Sequence, residues 1–203
     1  MAYGSGTNNP YGFAGWGTFS SAGGYFGNMI NTWTIANGYG TSLFTGDLVV
    51  NFTNGTIVLA TPSNPSLGVI TAVQYQDVSN FVNQINYYPA NAVVYNNGPV
   101  IASVLTDPSV VYDGQSNAAG GVPLTNRGYN ANVASNAFDS THTGNLITGG
   151  STESFDTLAS GNAAYNFNVI GLPEKNSNDW GIAYNSLLAR INNHVWRAGT
   201  AGI

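Results

Sequence analysis

Asn54 and Gly55 stand between two short apolar runs, and no other feature constrains the fold as tightly. Leu48, Val50 and Phe52 alternate with Asp47, Val49 and Asn51 before the dipeptide, and Ile57-Val58-Leu59-Ala60 follows it. Alternation with period two, interrupted by Asn-Gly, predicts an antiparallel hairpin closed by a type I′ turn. Pro62 and Pro65 end the return strand, since proline cannot donate to a sheet ladder. A third strand is expected over residues 67–75, with Leu67, Val69, Val73 and Tyr75 on one face. Asn97-Gly98 separates Val93-Val94-Tyr95 from residues 100–105 and reads as a second hairpin. Further strands are expected near residues 110–112, 165–172 and 187–196, the last buried on both sides for part of its length. Only residues 77–85 have helical spacing, in Val78, Phe81, Val82 and Ile85, and Asn80 and Asn83 weaken it. Residues 113–151 are turn-rich and read as long loops. There is no fixed-period repeat. The expected fold is all-β, an antiparallel β-barrel or sandwich with long loops.

Composition changes near residue 36, so the chain divides into an extended N-terminal arm, residues 1–36, and a β-barrel-like body, residues 37–203. The arm interleaves Tyr11, Phe13, Trp16, Phe19, Tyr25, Phe26 and Trp33 with glycine, serine and asparagine, and has no apolar period. Seven glycines between Gly4 and Gly24 make its backbone entropically costly to order. Aromatic side chains dominate interface energetics, so these seven rings are the candidate interaction residues. Two fates stay open: the arm clamps a neighbouring subunit, or it folds back over its own body. Trp180 and Trp196 are expected as core or barrel-end plugs.

Charge is scarce. Only 6% of the 203 residues are charged, the net charge is −5, and 28 Asn and 26 Gly fill much of the remainder. Soluble domains average about 25% charged residues, so this surface is solvated by amides and hydroxyls or covered by other molecules. Arg127, Lys175, Arg190 and Arg197 are scattered, which excludes a basic stripe and argues against nucleic-acid binding. No stretch approaches the ~20 apolar residues of a membrane-spanning helix, and the first residues do not resemble a secretory signal. The absence of cysteine removes disulfides, thiolate chemistry and cysteine-ligated zinc.

Chemistry has few candidates. His142 or His194 could join Ser151 or Ser154 and Asp139 or Asp156 in a triad, but no Gly-x-Ser-x-Gly elbow supports it. Paired carboxylates could form a glycosidase site, although Asp47, Asp107 and Asp113 sit where strand starts and turns explain them. Asp113-Gly114-Gln115-Ser116-Asn117 is oxygen-rich but lacks EF-hand spacing. The glycine-rich arm lacks the Gly-Lys-Ser/Thr of a phosphate loop. The sequons at Asn51 and Asn54 are expected by chance in so Asn- and Thr-rich a chain. No catalytic residue, metal or cofactor is expected, and the chain reads as a non-enzyme.

Three stretches, taken together, resemble capsid cement (head decoration) proteins of tailed double-stranded DNA bacteriophages: Tyr39-Gly-Thr-Ser-Leu-Phe-Thr-Gly-Asp47, Tyr87-Tyr-Pro-Ala-Asn91 and Ile191-Asn-Asn-His-Val-Trp-Arg197. The resemblance covers residues 37–203 and leaves out the arm. It implies a structural virion protein, made in the host cytoplasm, that binds the outer surface of the capsid, bridges major capsid protein subunits and stabilises the shell. Partners would be that protein and further copies of this chain, as a trimer or a dimer, with no nucleic acid or membrane. Multivalency on a closed shell supplies avidity without new chemistry. The rival is a head-fibre or tail-adhesin module whose Tyr, Trp and Asn bind host carbohydrate.

Overall fold

The computed structural model describes residues 9–18, 30–134, 144–156 and 162–199. Its strands are β1 (Ala14–Thr18), β2 (Ile30–Ile35), β3 (Leu43–Phe44), β4 (Leu48–Asn51), β5 (Thr56–Leu59), β6 (Gly68–Gln76) and β7 (Val82–Ile85). They continue with β8 (Tyr87–Tyr88), β9 (Val100–Leu105), β10 (Val110–Gln115), β11 (Asn130–Ala131), β12 (Phe167–Gly171) and β13 (Ser186–Ile191). The fold is all-β, as the patterning predicts.

Five strands close on themselves. β4 pairs β5, β5 pairs β2, β2 pairs β9, β9 pairs β6, and β6 returns to β4. Closure removes the exposed edges of those strands, and only β2–β5 is parallel. Ile35, Val49, Ile57, Leu59, Ile70, Val73, Val100, Ala102 and Val104 fill the barrel. The short β3–β8 ladder adds Leu43 and Tyr88 to this core. A second, antiparallel sheet in the order β1-β10-β13-β12-β11 lies against the barrel. Its Tyr112, Phe167, Val169, Leu187, Ala189 and Ile191 meet Leu48, Val69 and Leu105 from the barrel wall. Adjacent residues of one strand point to opposite faces. Leu48/Val49, Val69/Ile70 and Val104/Leu105 therefore each serve both cores.

That division corrects the single face expected for residues 67–75. A bulge between Ile70 and Ala72 inserts one residue, so Ile70 and Val73 both face the barrel interior while Val69 faces the sheet. The hairpin at Asn54-Gly55 forms in the expected place with a different turn. Gly55 takes φ 80° while Asn54 stays at negative φ, and Gly55 N–H reaches Phe52 C=O at 2.9 Å. This is a type I turn followed by a glycine bulge, not type I′. Asn54 Oδ1 also accepts Thr56 N–H and Oγ1–H. At 95–98 the type I′ conformation does occur, with Asn96 and Asn97 at φ 49° and 52°, but it joins no hairpin. Val94 bridges Asp77, and β9 pairs β2 and β6. Residues 77–85 are a turn and β7, not a helix, because Asp77 captures the local amides.

The N-terminal residues that can be described belong to the body. β2 sits between β5 and β9 in the barrel, so the division expected at residue 36 does not separate an arm there. β1 pairs β10, with Trp16 at the bulge of β1. Phe13 is 3% exposed, its ring 4.9 Å from Phe155 and 4.7 Å from Phe167. Gly114 makes room for it, since a β-carbon there would lie 2.7 Å from the Phe13 ring. Of the two fates left open, residues 9–18 fold back.

Candidate interaction surface

Two tight turns hold apolar side chains out to solvent. In the first, Asp77 Oδ1 accepts Ser79 N–H at 2.9 Å and Phe81 N–H at 3.1 Å, while Asp77 N–H donates to Phe81 C=O. Asn80 supplies the left-handed residue, φ 67°. This side-chain-stabilised turn presents Val78, Phe81 (69% exposed) and Val82. The Asp77–Val94 bridge brings exposed Val93 close by in the chain. In the second, Asn145 Oδ1 accepts Ile147 N–H at 2.9 Å and Thr148 N–H at 3.0 Å. Gly149 N–H closes on Asn145 C=O, and Asn86 Nδ2 ties the loop to the end of β7. Leu146 and Ile147, the latter 96% exposed, stand at its tip. A cleft of about 350 Å³ lies between this loop and residues 85–87. The two apolar tips thus flank β7. Sequence reading missed both, although Asp-x-Ser at 77–79 and Asn-x-x-Thr at 145–148 are recognisable turn formers enclosing apolar residues.

The aromatic residues proposed from sequence are dispersed. Phe13 is core, and Tyr11 is partly buried with its hydroxyl donating to Asp113 Oδ1 at 2.8 Å. Trp33 is half-buried against the barrel core, and Trp16 alone among the described four is exposed. Phe19, Tyr25 and Phe26 lie outside the described residues. Trp180 packs on the inter-sheet core as expected, whereas Trp196 is 60% exposed and plugs nothing.

The triad candidates do not converge among the described residues. His142 and Asp139 lie outside them. His194 is buried; its Nδ1 accepts Trp196 N–H at 3.1 Å, so Nε2 carries the proton and donates to Thr106 C=O at 2.9 Å. Both ring nitrogens are thus spent on backbone. Ser151 and Ser154 are buried, and Ser151 Oγ accepts Glu153 N–H. Asp113-Gly114 is no turn and no cation loop: it lies inside β10, where Asp113 pairs with Lys175. Asp107 does form the expected turn, accepting Ser109 N–H.

Burial lowers the affinity of His194 for a proton below the ordinary value of 6.5; Arg197 acts the same way, while the Thr106 and Leu67 carbonyls and Asp107 oppose it. The unfolded chain therefore binds the proton more readily than the folded one. The stability that neutral His194 supplies is complete above about pH 6.5 and is lost as pH falls through the depressed value. Unfolding free energies from urea melts across that range should fall with a slope of at most ~1.4 kcal/mol per pH unit from this residue. The slope should flatten in His194→Gln.

Two of the three motifs meet in space. Leu43 and Phe44 pair with Tyr88 and Tyr87, with the Phe44 and Tyr87 rings stacked at 5.3 Å. Ala90 N–H donates to Ser42 Oγ, and Asn91 N–H to Tyr39 C=O. The third motif returns along the barrel wall, where His194 bridges Ser66. No protein-family model, curated protein or solved structure matches the chain.

Proposed function

We propose that this chain is a structural virion protein that coats the outside of a phage head and bridges major capsid protein subunits, without catalysis. One observation carries the reading: Phe81 and Ile147 are held at 69% and 96% exposure by turns built to keep them there. An apolar tip on a rigid turn loses little entropy when it enters a partner's pocket, and a chain in which only 6% of residues are charged opposes close approach weakly. The resemblance of residues 39–47, 87–91 and 191–197 supplies the assembly. Quantifying the chain against the major shell protein in purified particles tests it. Hundreds of copies support the reading; a few copies at a vertex or tail overturn it.

The Phe81→Ser/Ile147→Ser variant should bind heads at least ten-fold more weakly, on the order of one interface hot spot. Its unfolding free energy should stay within about 0.5 kcal/mol of wild type, as for exposed sites generally. Binding by pelleting with stripped heads and urea melts measure the two.

A second reading, a carbohydrate-binding adhesin module, draws on Trp196. Its backbone is tied to His194 and its ring, 5.2 Å from the imidazole, is open to solvent. An exposed, immobilised indole suits a sugar face. Retention of the isolated protein on bacterial cell walls, lost in Trp196→Ala, would favour it over the coat.

A further inference from the structure

Among the described residues β7 pairs only with β6 and ends its sheet. The register decides which of its backbone groups are spent on that ladder. Asp77 N–H donates to Phe81 C=O, so this is a hydrogen-bonded pair. Bonded and non-bonded pairs alternate along an antiparallel ladder. Tyr75↔Asn83 and Val73↔Ile85 are therefore bonded, while Val82 and Gln84 turn their N–H and C=O groups away from β6. Asn86 follows the same parity, and its C=O accepts Thr45 N–H at 2.8 Å.

Open sheet edges are ordinarily blunted by charge, proline, a bulge or brevity. β1 has a bulge between Gly15 and Gly17, and β3, β8 and β11 are two residues long. β7 keeps four residues in unbroken register and has no proline. Residues 78–86 and 144–150 carry no charge. Both ends of this edge are apolar: Phe81 and Val82 are exposed at one, and Leu146 and Ile147 stand beside the cleft of about 350 Å³ at the other. Outward backbone groups on alternate residues, roughly 7 Å apart, match an extended chain and not a helix.

We propose that the partner adds an extended segment as a strand along the outward side of β7 and seats an apolar side chain in the cleft beside Ile147. The inference rests on the head-coating reading and names what the shell protein supplies: an extended, uncharged stretch, since a charge buried here would meet no counter-charge. A second β7 does not fit. With Val82 of one copy opposite Gln84 of the other, Asn80 of the second copy would face Asn86, where Thr45 already stands. Shifting that antiparallel register by two residues either way puts Val78 or Val82 there instead. A segment not tied into its own hairpin can leave the ladder after Gln84 and enter the cleft.

The test compares amide exchange of the whole chain, free and bound to stripped heads. The Val82 and Gln84 amides should gain roughly ten-fold protection or more on binding, because each becomes a ladder donor. Gln84→Pro removes one of those donors, and an edge strand tolerates proline where the N–H faces outward. That variant should pellet with heads roughly ten-fold more weakly, with its circular dichroism unchanged. Wild type that binds heads without protecting those two amides overturns strand addition and leaves the coat reading standing. Unchanged binding by folded Gln84→Pro does the same. Wild type that does not bind heads overturns both. Protection that rises with the concentration of the free chain identifies a second copy as the occupant and also overturns the proposal. If Gln84→Pro does not fold, exchange in wild type decides alone.

Discussion

Phe13→Ala should destabilise the protein by about 3–5 kcal/mol, the cost of truncating a fully packed aromatic. The ring touches Phe155 and Phe167 across the inter-sheet core and occupies the space left by Gly114. Its backbone is held too, through Phe13 N–H to Gly46 C=O at 2.9 Å. Gly114, on β10, has no side chain to fill the hole. Trp16→Ala, three residues on, should cost under about 0.5 kcal/mol, since that side chain is exposed on an edge strand. Urea unfolding of the two variants separates the roles: a small loss in Phe13→Ala would mean that these residues are not integral to the body. A loss of head binding in Trp16→Ala at unchanged stability would restore an interface role to that one ring.

The contrast shows what a sequence carries and what it hides. The hairpin of residues 48–59 was legible because period-two alternation and a glycine-containing turn are local facts. β6 was legible too, but not its bulge, since an extra residue at Thr71 is chosen by pairing with β9 and leaves no mark in composition. β2 was invisible for another reason. Its Ile30, Asn31, Thr32 and Thr34 are exposed and only Ile35 is fully buried, so it has no apolar period, and the barrel holds it through ladders to β9 and β5. Phe13 looked like one sticky ring among several because its pocket comes from Gly114, Phe155 and Phe167, 101 to 154 positions away.

The buried polar groups were the least legible. Asp113-Gly114 is a good turn dipeptide in isolation. Within β10 the glycine admits an aromatic ring and the aspartate meets a lysine 62 residues later. Glu153 pairs with Leu48 across 105 residues. Neither pairing has a local signature, because each depends on strand order. The apolar tips at Phe81 and Ile147 lie between: their turns are written in Asp77 and Asn145, but exposure of the enclosed side chains follows from which side of the barrel each turn leaves.

Lys175→Met should cost about 3 kcal/mol, the low end for breaking a buried ion pair because the lysine side chain still reaches water. Lys175 Nζ donates to Asp113 Oδ2 at 2.5 Å and to Tyr11 Oη at 2.9 Å, and lies 4.9 Å from the Tyr11 ring centre. Ser186 Oγ lies within 3.1 Å of the same hydroxyl. The loop that brings the lysine is itself fixed: Asn178 Nδ2 donates to the Pro173 and Ser186 carbonyls and its Oδ1 accepts Ser186 N–H. The variant therefore leaves the geometry in place and removes the cation, so Asp113 retains its charge on β10 without its lysine. Most of the loss should be that uncompensated charge. Adding Asp113→Asn to Lys175→Met should then recover part of the stability, giving a double variant more stable than Lys175→Met alone. Equal or greater instability in the double variant would show that hydrogen-bond geometry, not charge, ties Tyr11 to the sheet.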